Sequence, residues 1–136
     1  MKTIRVLILE DDLKACQAIL KVLEEVEFEA IKKGVELSAL VFQERVFVEE
    51  FVNQREWTGE EIVFLDREAD KGQAGNFHDL DFEKFDKDRI ISISSVPDFN
   101  EDARKRGINR VVQKDFTKMD EFGEKIEREL RVILGL

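Results

Sequence analysis

Long hydrophobic runs and paired cysteines are both missing from this sequence of 136 residues, and each absence excludes a class of protein. No apolar run approaches the roughly 20 residues that a membrane helix requires. The short apolar run at the N-terminus turns acidic at Glu10, too early for a signal peptide. Cys16 is the single cysteine and cannot form an internal disulfide bond, which favours a reducing compartment. We therefore expect a cytoplasmic protein that does not insert into a membrane.

Positive charge is also in the minority, because the formal net charge is −9 at neutral pH. This balance counts against nonspecific binding to nucleic acids or to anionic membranes. Hydrophobic residues make up 43% of the chain and charged residues 39%, which is typical of a folded globular protein rather than a disordered one. Repeats and linkers are absent from the sequence, so we expect a single domain over residues 1–136.

Five short apolar segments alternate with amphipathic segments along the chain. The predicted strands are residues 4–9, 36–42, 61–65, 90–93 and 110–113. Uninterrupted apolar runs of this length are typical of strands that are buried on both faces of a parallel sheet. Apolar residues at helical spacing predict five helices: one with its stripe over residues 16–26, one from residue 48 to about residue 57, one over residues 80–85, one over residues 98–106 and one with its stripe over residues 119–133. The alternation predicts an α/β fold with a doubly wound, five-stranded parallel sheet.

Two of these predicted helices also have recognisable ends. Asp12 or Asp11 is expected to cap the N-terminus of the first helix, and Gly34 is expected to end it. The fourth helix follows Pro97, the only proline of the chain, and is expected to end at Gly107.

Four of the five predicted strands end in residues that carry chemistry: Glu10 and Asp11, Asp66, Ser94, and Lys114. The carboxyl ends of parallel strands lie at one edge of a sheet, so these side chains can converge. Carboxylates that are ~4 Å apart repel one another by about 4 kcal/mol per pair at an effective dielectric near 20, and therefore need a cation. Mg²⁺ prefers such hard oxygen ligands. A metal, a lysine, a hydroxyl and a free carboxylate together indicate phosphoryl transfer onto the carboxylate.

The motifs at these strand ends resemble those of the response-regulator receiver domain, and the resemblance covers essentially the whole chain. It rests on four segments: Leu9-Glu10-Asp11-Asp12, Phe64-Leu65-Asp66, Ile93-Ser94-Ser95 and Val112-Gln113-Lys114-Asp115-Phe116. The resemblance implies the flavodoxin-like receiver fold, with strand order 2-1-3-4-5 and the Asp66 strand at the centre.

The same resemblance implies a function in a two-component system or phosphorelay. Asp66 is the implied phosphoacceptor, which takes its phosphoryl group from the phosphohistidine of a sensor histidine kinase or a histidine phosphotransfer protein. Ser94 and Lys114 are implied to contact the phosphoryl oxygens. Beyond this self-phosphorylation and self-dephosphorylation, no enzymatic activity is expected.

A magnesium site is implied beside the phosphoacceptor. Glu10 and Asp11 would hold Mg²⁺ together with Asp66, Asp11 directly, while Glu68 would contribute its backbone carbonyl. Asp12 is then the acidic neighbour beyond the pair, although three consecutive acids leave the register open by one residue.

Four positions depart from the pattern of the family. Asp70 stands where a proline is usual after the phosphoacceptor, and Asp115 stands where a proline usually follows the lysine, so the customary cis bond there is not expected. Ser94 replaces the commoner threonine, and Val111 fills the position of an aromatic switch residue. A ring rotation cannot operate at Val111, so we expect the response to phosphorylation to follow the backbone between Ser94 and the fourth helix.

The resemblance places the output surface on the fourth helix, the fifth strand and the fifth helix. In this acidic chain that region contains a basic cluster: Arg104, Lys105, Arg106 and Arg110. Because local and global charge have opposite signs, we expect an acidic output protein to bind there.

Two other functions remain alternatives. One is a degenerate receiver that acts as an interaction module without being phosphorylated, against which the intact acids and Lys114 argue. The other is a Mg²⁺-dependent nucleic-acid enzyme of the Toprim type, whose acidic motif Glu10 and residues 66–68 imitate. Lys114 and Ser94 have no obvious place in that second scheme.

Overall fold

Parallel strands form the central sheet of the protein. The computed structural model describes residues 1–67 and 77–136, and in those residues the sheet has five strands. They are β1 (Lys2–Leu9), β2 (Val35–Phe42), β3 (Ile62–Leu65), β4 (Ile90–Ser92) and β5 (Arg110–Val111). All pairs are parallel and the spatial order is β2-β1-β3-β4-β5. The predicted sheet and its strand order are therefore confirmed.

Helices and short helical turns cover both faces of this sheet. Three α-helices lie in the described residues: α1 (Leu13–Lys32), α2 (Pro97–Lys105) and α3 (Met119–Leu134). On one face, α1 and α3 pack over β1 and bury a core that includes Ile8, Leu23 and Phe122. On the other face, α2 packs together with short turns around Leu65 and Phe77. Successive residues of β1 point to opposite faces, so the strand supplies both cores.

The first helix begins where the acidic run ends. The Asp12 side chain accepts a hydrogen bond of 2.8 Å from the backbone N–H of Ala15, as an N-cap residue does. The predicted apolar stripe of this helix is buried apart from Leu20, which is 39% exposed. The chain then reverses at Gly34, whose φ of +80° is a conformation that glycine adopts without strain.

The predicted second and third helices are not α-helices. The second is a five-residue π-helical turn, Val48–Val52, whose two end residues are buried. The third is replaced by the 3₁₀ turns Phe77–Asp79, Phe82–Lys84 and Lys87–Arg89. The prediction of five α-helices was therefore wrong in these two places.

Two aspartates explain why no continuous helix forms in the third segment. Asp81 accepts a hydrogen bond from the N–H of Glu83, and Asp86 accepts one from the N–H of Asp88. Side chains that bind the backbone in this way begin a new turn and compete with helix propagation. The apolar positions were nevertheless correct about the interior, since Leu80 and Phe85 are buried.

The N-cap of α1 can be tested separately from the acids beside it. Replacing Asp12 by alanine should lower the free energy of unfolding by about 1 kcal/mol, because the N–H of Ala15 loses its acceptor. Asp12→Asn keeps an acceptor oxygen in the same place and should retain most of that stability. Urea denaturation followed by circular dichroism measures both. Equal midpoints for the two variants would contradict the capping role.

Candidate functional site

Three carboxylates meet at the carboxyl edge of the sheet. Glu10 and Asp11 follow β1, and Asp66 follows β3, which pairs with β1 so that Leu9 lies beside Leu65. Each of the three acids is buried, and one oxygen of each lies within 4.8 Å of the others. The strand register therefore brings together the acids that the sequence analysis selected.

The structure also decides the register of the acidic run. Glu10 and Asp11 face the Asp66 carboxylate, whereas Asp12 turns away to cap α1. Oε2 of Glu10 accepts a hydrogen bond of 3.1 Å from the backbone N–H of Asp12, which fixes the chain between the carboxylate cluster and the helix cap. In this register Glu10 and Asp11 are the two residues of the acidic run whose carboxylates lie beside Asp66.

Lys114 supplies the positive charge at the centre of the cluster. Its Nζ atom forms an ion pair with the Glu10 carboxylate and lies 3.3 Å from Oδ2 of Asp66. The lysine is 5% exposed, so both contacts are shielded from water. Its backbone N–H donates to the carbonyl of Ser94 at 2.9 Å, which ties the chain after β5 to the chain after β4.

The electrostatics of the cluster show how tightly charge is packed. Burial, together with the charge of Asp66, raises the pKa of Glu10 to about 9. Burial also raises the pKa of Asp66, although Lys114 opposes that shift. For Lys114, burial favours the neutral form, but the charges of Glu10 and Asp66 outweigh it and raise the lysine pKa. The lysine therefore stays protonated, and its single positive charge is shared between Glu10 and Asp66.

This donor set fits a hard divalent cation. Three carboxylates around one lysine leave an excess of negative charge, and oxygen ligands of this type suit Mg²⁺, Mn²⁺ and Ca²⁺. Glu10, Asp11 and Asp66 are the side chains that would hold the ion. Glu68, predicted to add a backbone carbonyl, lies outside the described residues, as does Asp70.

Ser94 follows β4 at the same edge of the sheet, next to the strand that carries Asp66. It is buried, and its Oγ atom accepts a hydrogen bond of 3.1 Å from the N–H of Val96. Asn100 of α2 contacts both the N–H and the carbonyl of Ser94. The sequence analysis did not identify Asn100. Its signal is weak, a single amide placed three residues before the buried Ala103 on a short helix.

Arg67, which follows the central acid directly, was also missed. Its backbone N–H donates to Oδ1 of Asp66 at 2.9 Å. Its guanidinium group lies 3.1 Å from Asp102 and stacks 4.6 Å from the ring centre of Phe99, both on α2. A single residue thus connects the Asp66 carboxylate with the helix that follows β4.

Val111 of β5 and Asp115 after it are two positions at which the sequence differs from the receiver-domain pattern. The Lys114–Asp115 peptide bond is trans, like every other peptide bond in the described ranges. Val111 is half-buried in β5, beside Ser92 of β4. An aliphatic side chain therefore occupies this position of β5.

The basic residues near α2 do not form one patch of unengaged charge. Arg110 donates to the carbonyl of Asp88 and forms an ion pair of 2.7 Å with Glu129. The guanidinium group of Arg106 stacks 4.2 Å from the ring centre of Phe82. Arg104 and Lys105 remain exposed at the end of α2, where Arg104 makes a loose contact of 3.7 Å with Glu101.

Two solved structures share this architecture. The Mn²⁺-bound form of response regulator Rcp1 matches with a TM-score of 0.65 and 13% sequence identity, over 96% of this chain and 94% of that chain. A response regulator receiver domain from Rhodospirillum rubrum matches with a TM-score of 0.64 and 18% identity, over 97% of this chain and 92% of that chain. No protein-family model and no curated protein sequence matches. The chain therefore has the fold of response-regulator receiver domains.

None of the helices in the described residues is both long enough and apolar enough to cross a membrane.

Crowding among the acids can be measured by removing one charge. Asp11→Asn should raise the free energy of unfolding of the metal-free protein by about 1 to 4 kcal/mol, the repulsion expected between carboxylates at such distances. The same change should weaken Mg²⁺ binding roughly tenfold or more. Asp12→Asn, which removes an equal charge one residue away from the cluster, is the matched control. Calorimetric titration with Mg²⁺ and urea denaturation give the two readouts, and unchanged Mg²⁺ affinity in Asp11→Asn would exclude Asp11 as a ligand.

Proposed function

We propose that this protein is a phosphoacceptor receiver of a two-component system or phosphorelay, acting as a single domain over residues 1–136. The observation that carries the proposal is the placement of Lys114 between Glu10 and Asp66, with Asp11 beside them, at the carboxyl edge of a receiver-type sheet. One buried lysine does not balance three buried acids, and because burial makes uncompensated charge costly, a cation is the expected counterpart.

In this proposal Asp66 is the nucleophile. One of its carboxylate oxygens forms a bond to phosphorus as the bond between phosphorus and the histidine nitrogen of the donor breaks, and the released imidazole takes up a proton. Lys114 lies close enough to Asp66 to meet the incoming phosphoryl oxygens with its ammonium group. The hydroxyl of Ser94, at the end of the neighbouring strand, is the second donor.

Glu10, Asp11 and Asp66 would hold Mg²⁺, which supplies charge neutralisation for the transferred group. With the ion held by these acids, Lys114 would be free to contact the phosphoryl group in place of Glu10, and the backbone N–H of Arg67 would keep the Asp66 carboxylate oriented through Oδ1. The donors are a sensor histidine kinase or a histidine phosphotransfer protein, which present phosphohistidine.

Phosphate incorporation tests this function. Treatment with acetyl phosphate and Mg²⁺ should add one phosphoryl group to the intact mass, and hydroxylamine should remove it, because an acyl phosphate reacts with that nucleophile. Asp66→Asn should gain no mass, whereas Asp115→Asn, which changes an exposed acid next to Lys114, should gain the full amount. An Asp66→Asn protein that still acquires one phosphoryl group would refute the assignment.

The same measurement separates the two alternatives. A receiver that acts only as a phosphorylation-independent interaction module would add no mass while still binding its partner. An enzyme of the Toprim type would add no mass and would cleave or rejoin nucleic-acid strands in the presence of Mg²⁺. The intact acids and Lys114 argue against the first alternative, and Lys114 and Ser94 have no obvious place in the second.

We infer that the output passes through α2, which is the predicted fourth helix. Arg67 joins Asp66 to Phe99 and Asp102 of this helix, and Val111 has no ring with which to transmit a change through β5. The exposed residues Arg104 and Lys105 at the end of α2 then form the basic part of the output surface. An acidic output protein would complement them.

Amide chemical shifts can test this route. At fixed Mg²⁺, a phosphoryl mimic such as beryllofluoride should perturb residues 95–106 more than Val111. The reason is that the Ser94 hydroxyl is drawn toward the new charge and the hydrogen bond from the Arg67 N–H to Asp66 changes. Changes confined to the neighbours of Asp66, with the amides of α2 unmoved, would contradict the route. Arg67→Lys, which keeps the charge but cannot form the same planar stack on Phe99, should reduce the perturbation of α2.

A further inference from the structure

Asn100 is a buried polar residue of α2 whose position needs an explanation. It is 5% exposed, and its side-chain amide faces the chain that follows β4. Its Oδ1 atom accepts a hydrogen bond of 2.9 Å from the hydroxyl of Ser92 and one of 3.2 Å from the N–H of Ser94. Its Nδ2 atom donates to the carbonyl of Ser94 at 3.2 Å. A buried amide with both ends engaged fixes the groups that it contacts.

The peptide groups of Ser94 are therefore held from two directions. Asn100 binds the N–H and the carbonyl from the side of α2, and the backbone N–H of Lys114 binds the same carbonyl at 2.9 Å from the side of β5. The Ser94 carbonyl thus joins the two residues that are proposed to contact the phosphoryl group. Movement of this peptide would displace the Ser94 hydroxyl and the backbone of Lys114 together.

The hydroxyl of Ser94 depends on the same geometry. Its Oγ atom accepts the N–H of Val96, two residues further along the turn that leads into α2. An oxygen that accepts from this N–H keeps its own proton available for a phosphoryl oxygen. The direction in which that proton can be donated follows from the backbone conformation of Ser94, which Asn100 holds.

We propose that Asn100 is a positioning residue for phosphoryl transfer: its amide clamps the Ser94 peptide so that Ser94 and Lys114 meet the phosphoryl group in one geometry. This inference rests on the proposed receiver function and adds a residue to it. Asn100 does not touch the reacting atoms. Its contribution passes through Ser94, and this makes the two residues energetically coupled rather than independent.

A double-mutant cycle tests the coupling. Phosphorylation by acetyl phosphate at fixed Mg²⁺ should be roughly tenfold to hundredfold slower in Asn100→Ala, the loss that a displacement of about 1 Å causes at a reacting centre. Ser94→Ala should be slowed as well. Asn100→Ala should cost much less rate in the Ser94→Ala background, because the hydroxyl that it positions is already gone and only its hold on the backbone beside Lys114 is left to lose. Losses that multiply in the double variant would overturn the proposal, since they would indicate a separate structural effect.

Ser92→Ala is the matched control, because it removes one hydrogen bond to Oδ1 of Asn100 while both bonds to Ser94 remain. It should phosphorylate at the wild-type rate. The ¹H–¹⁵N signal of the Ser94 amide should shift in Asn100→Ala and stay in place in Ser92→Ala. A shifted Ser94 amide in Ser92→Ala with normal phosphorylation would also overturn the proposal, because clamping would then not govern the rate.

Asn100→Ser keeps the measurement possible if the alanine variant fails to fold. Its short neutral hydroxyl can engage one of the two Ser94 peptide groups but cannot bridge both, so the variant should fold and phosphorylate more slowly than wild type. A wild-type rate in Asn100→Ser would show that the clamp is unnecessary. A wild-type protein that gains no phosphoryl group would instead refute the receiver function itself, and the positioning role with it.

Discussion

The ion pair network of Lys114 is the interaction on which the rest of this structure depends. Burying three carboxylates at one sheet edge is costly, and the lysine offsets that cost by contacting Glu10 and Asp66 together. The compensation is incomplete, as the raised pKa values of both acids show. Under the proposed function, a cation held by the acids and a phosphoryl group beside Lys114 would complete this compensation.

The architecture explains why these charged groups meet in one place. The candidate site residues follow four different strands, and parallel pairing brings the carboxyl ends of β1, β3, β4 and β5 to the same edge. Strands β3 and β4 are short and wholly buried, so their register is fixed by packing on both faces. A slip of one residue would turn Asp66 toward a core. The same strand register therefore determines both the packing of the sheet and the geometry of the site.

Helix α2 is connected to this edge by two side chains that have different chemistry. Asn100 binds the backbone of Ser94 through a neutral amide, and Arg67 reaches from the Asp66 carboxylate to Asp102 and Phe99. The first contact is buried, and the second is partly exposed to solvent. These two contacts are the basis for the proposed response of α2 to phosphorylation. Residues Arg106 and Arg110, in contrast, serve packing and ion pairs within the protein.

The sequence by itself determined the parallel sheet and the residues at its edge, because unbroken apolar runs end in Glu10, Asp66, Ser94 and Lys114. The strand order followed from the resemblance of these motifs to the receiver domain, not from the apolar pattern. It could not determine the segment around Leu80 and Phe85, where aspartates at Asp81 and Asp86 divide an apolar pattern into separate turns. Only the tertiary structure decided that Asp12 caps a helix while Asp11 joins the cluster. Only it revealed the roles of Asn100 and Arg67, because these roles are hydrogen bonds that no apolar pattern in the sequence indicates. Local composition fixes which residues are buried, and long-range packing decides which polar atoms meet.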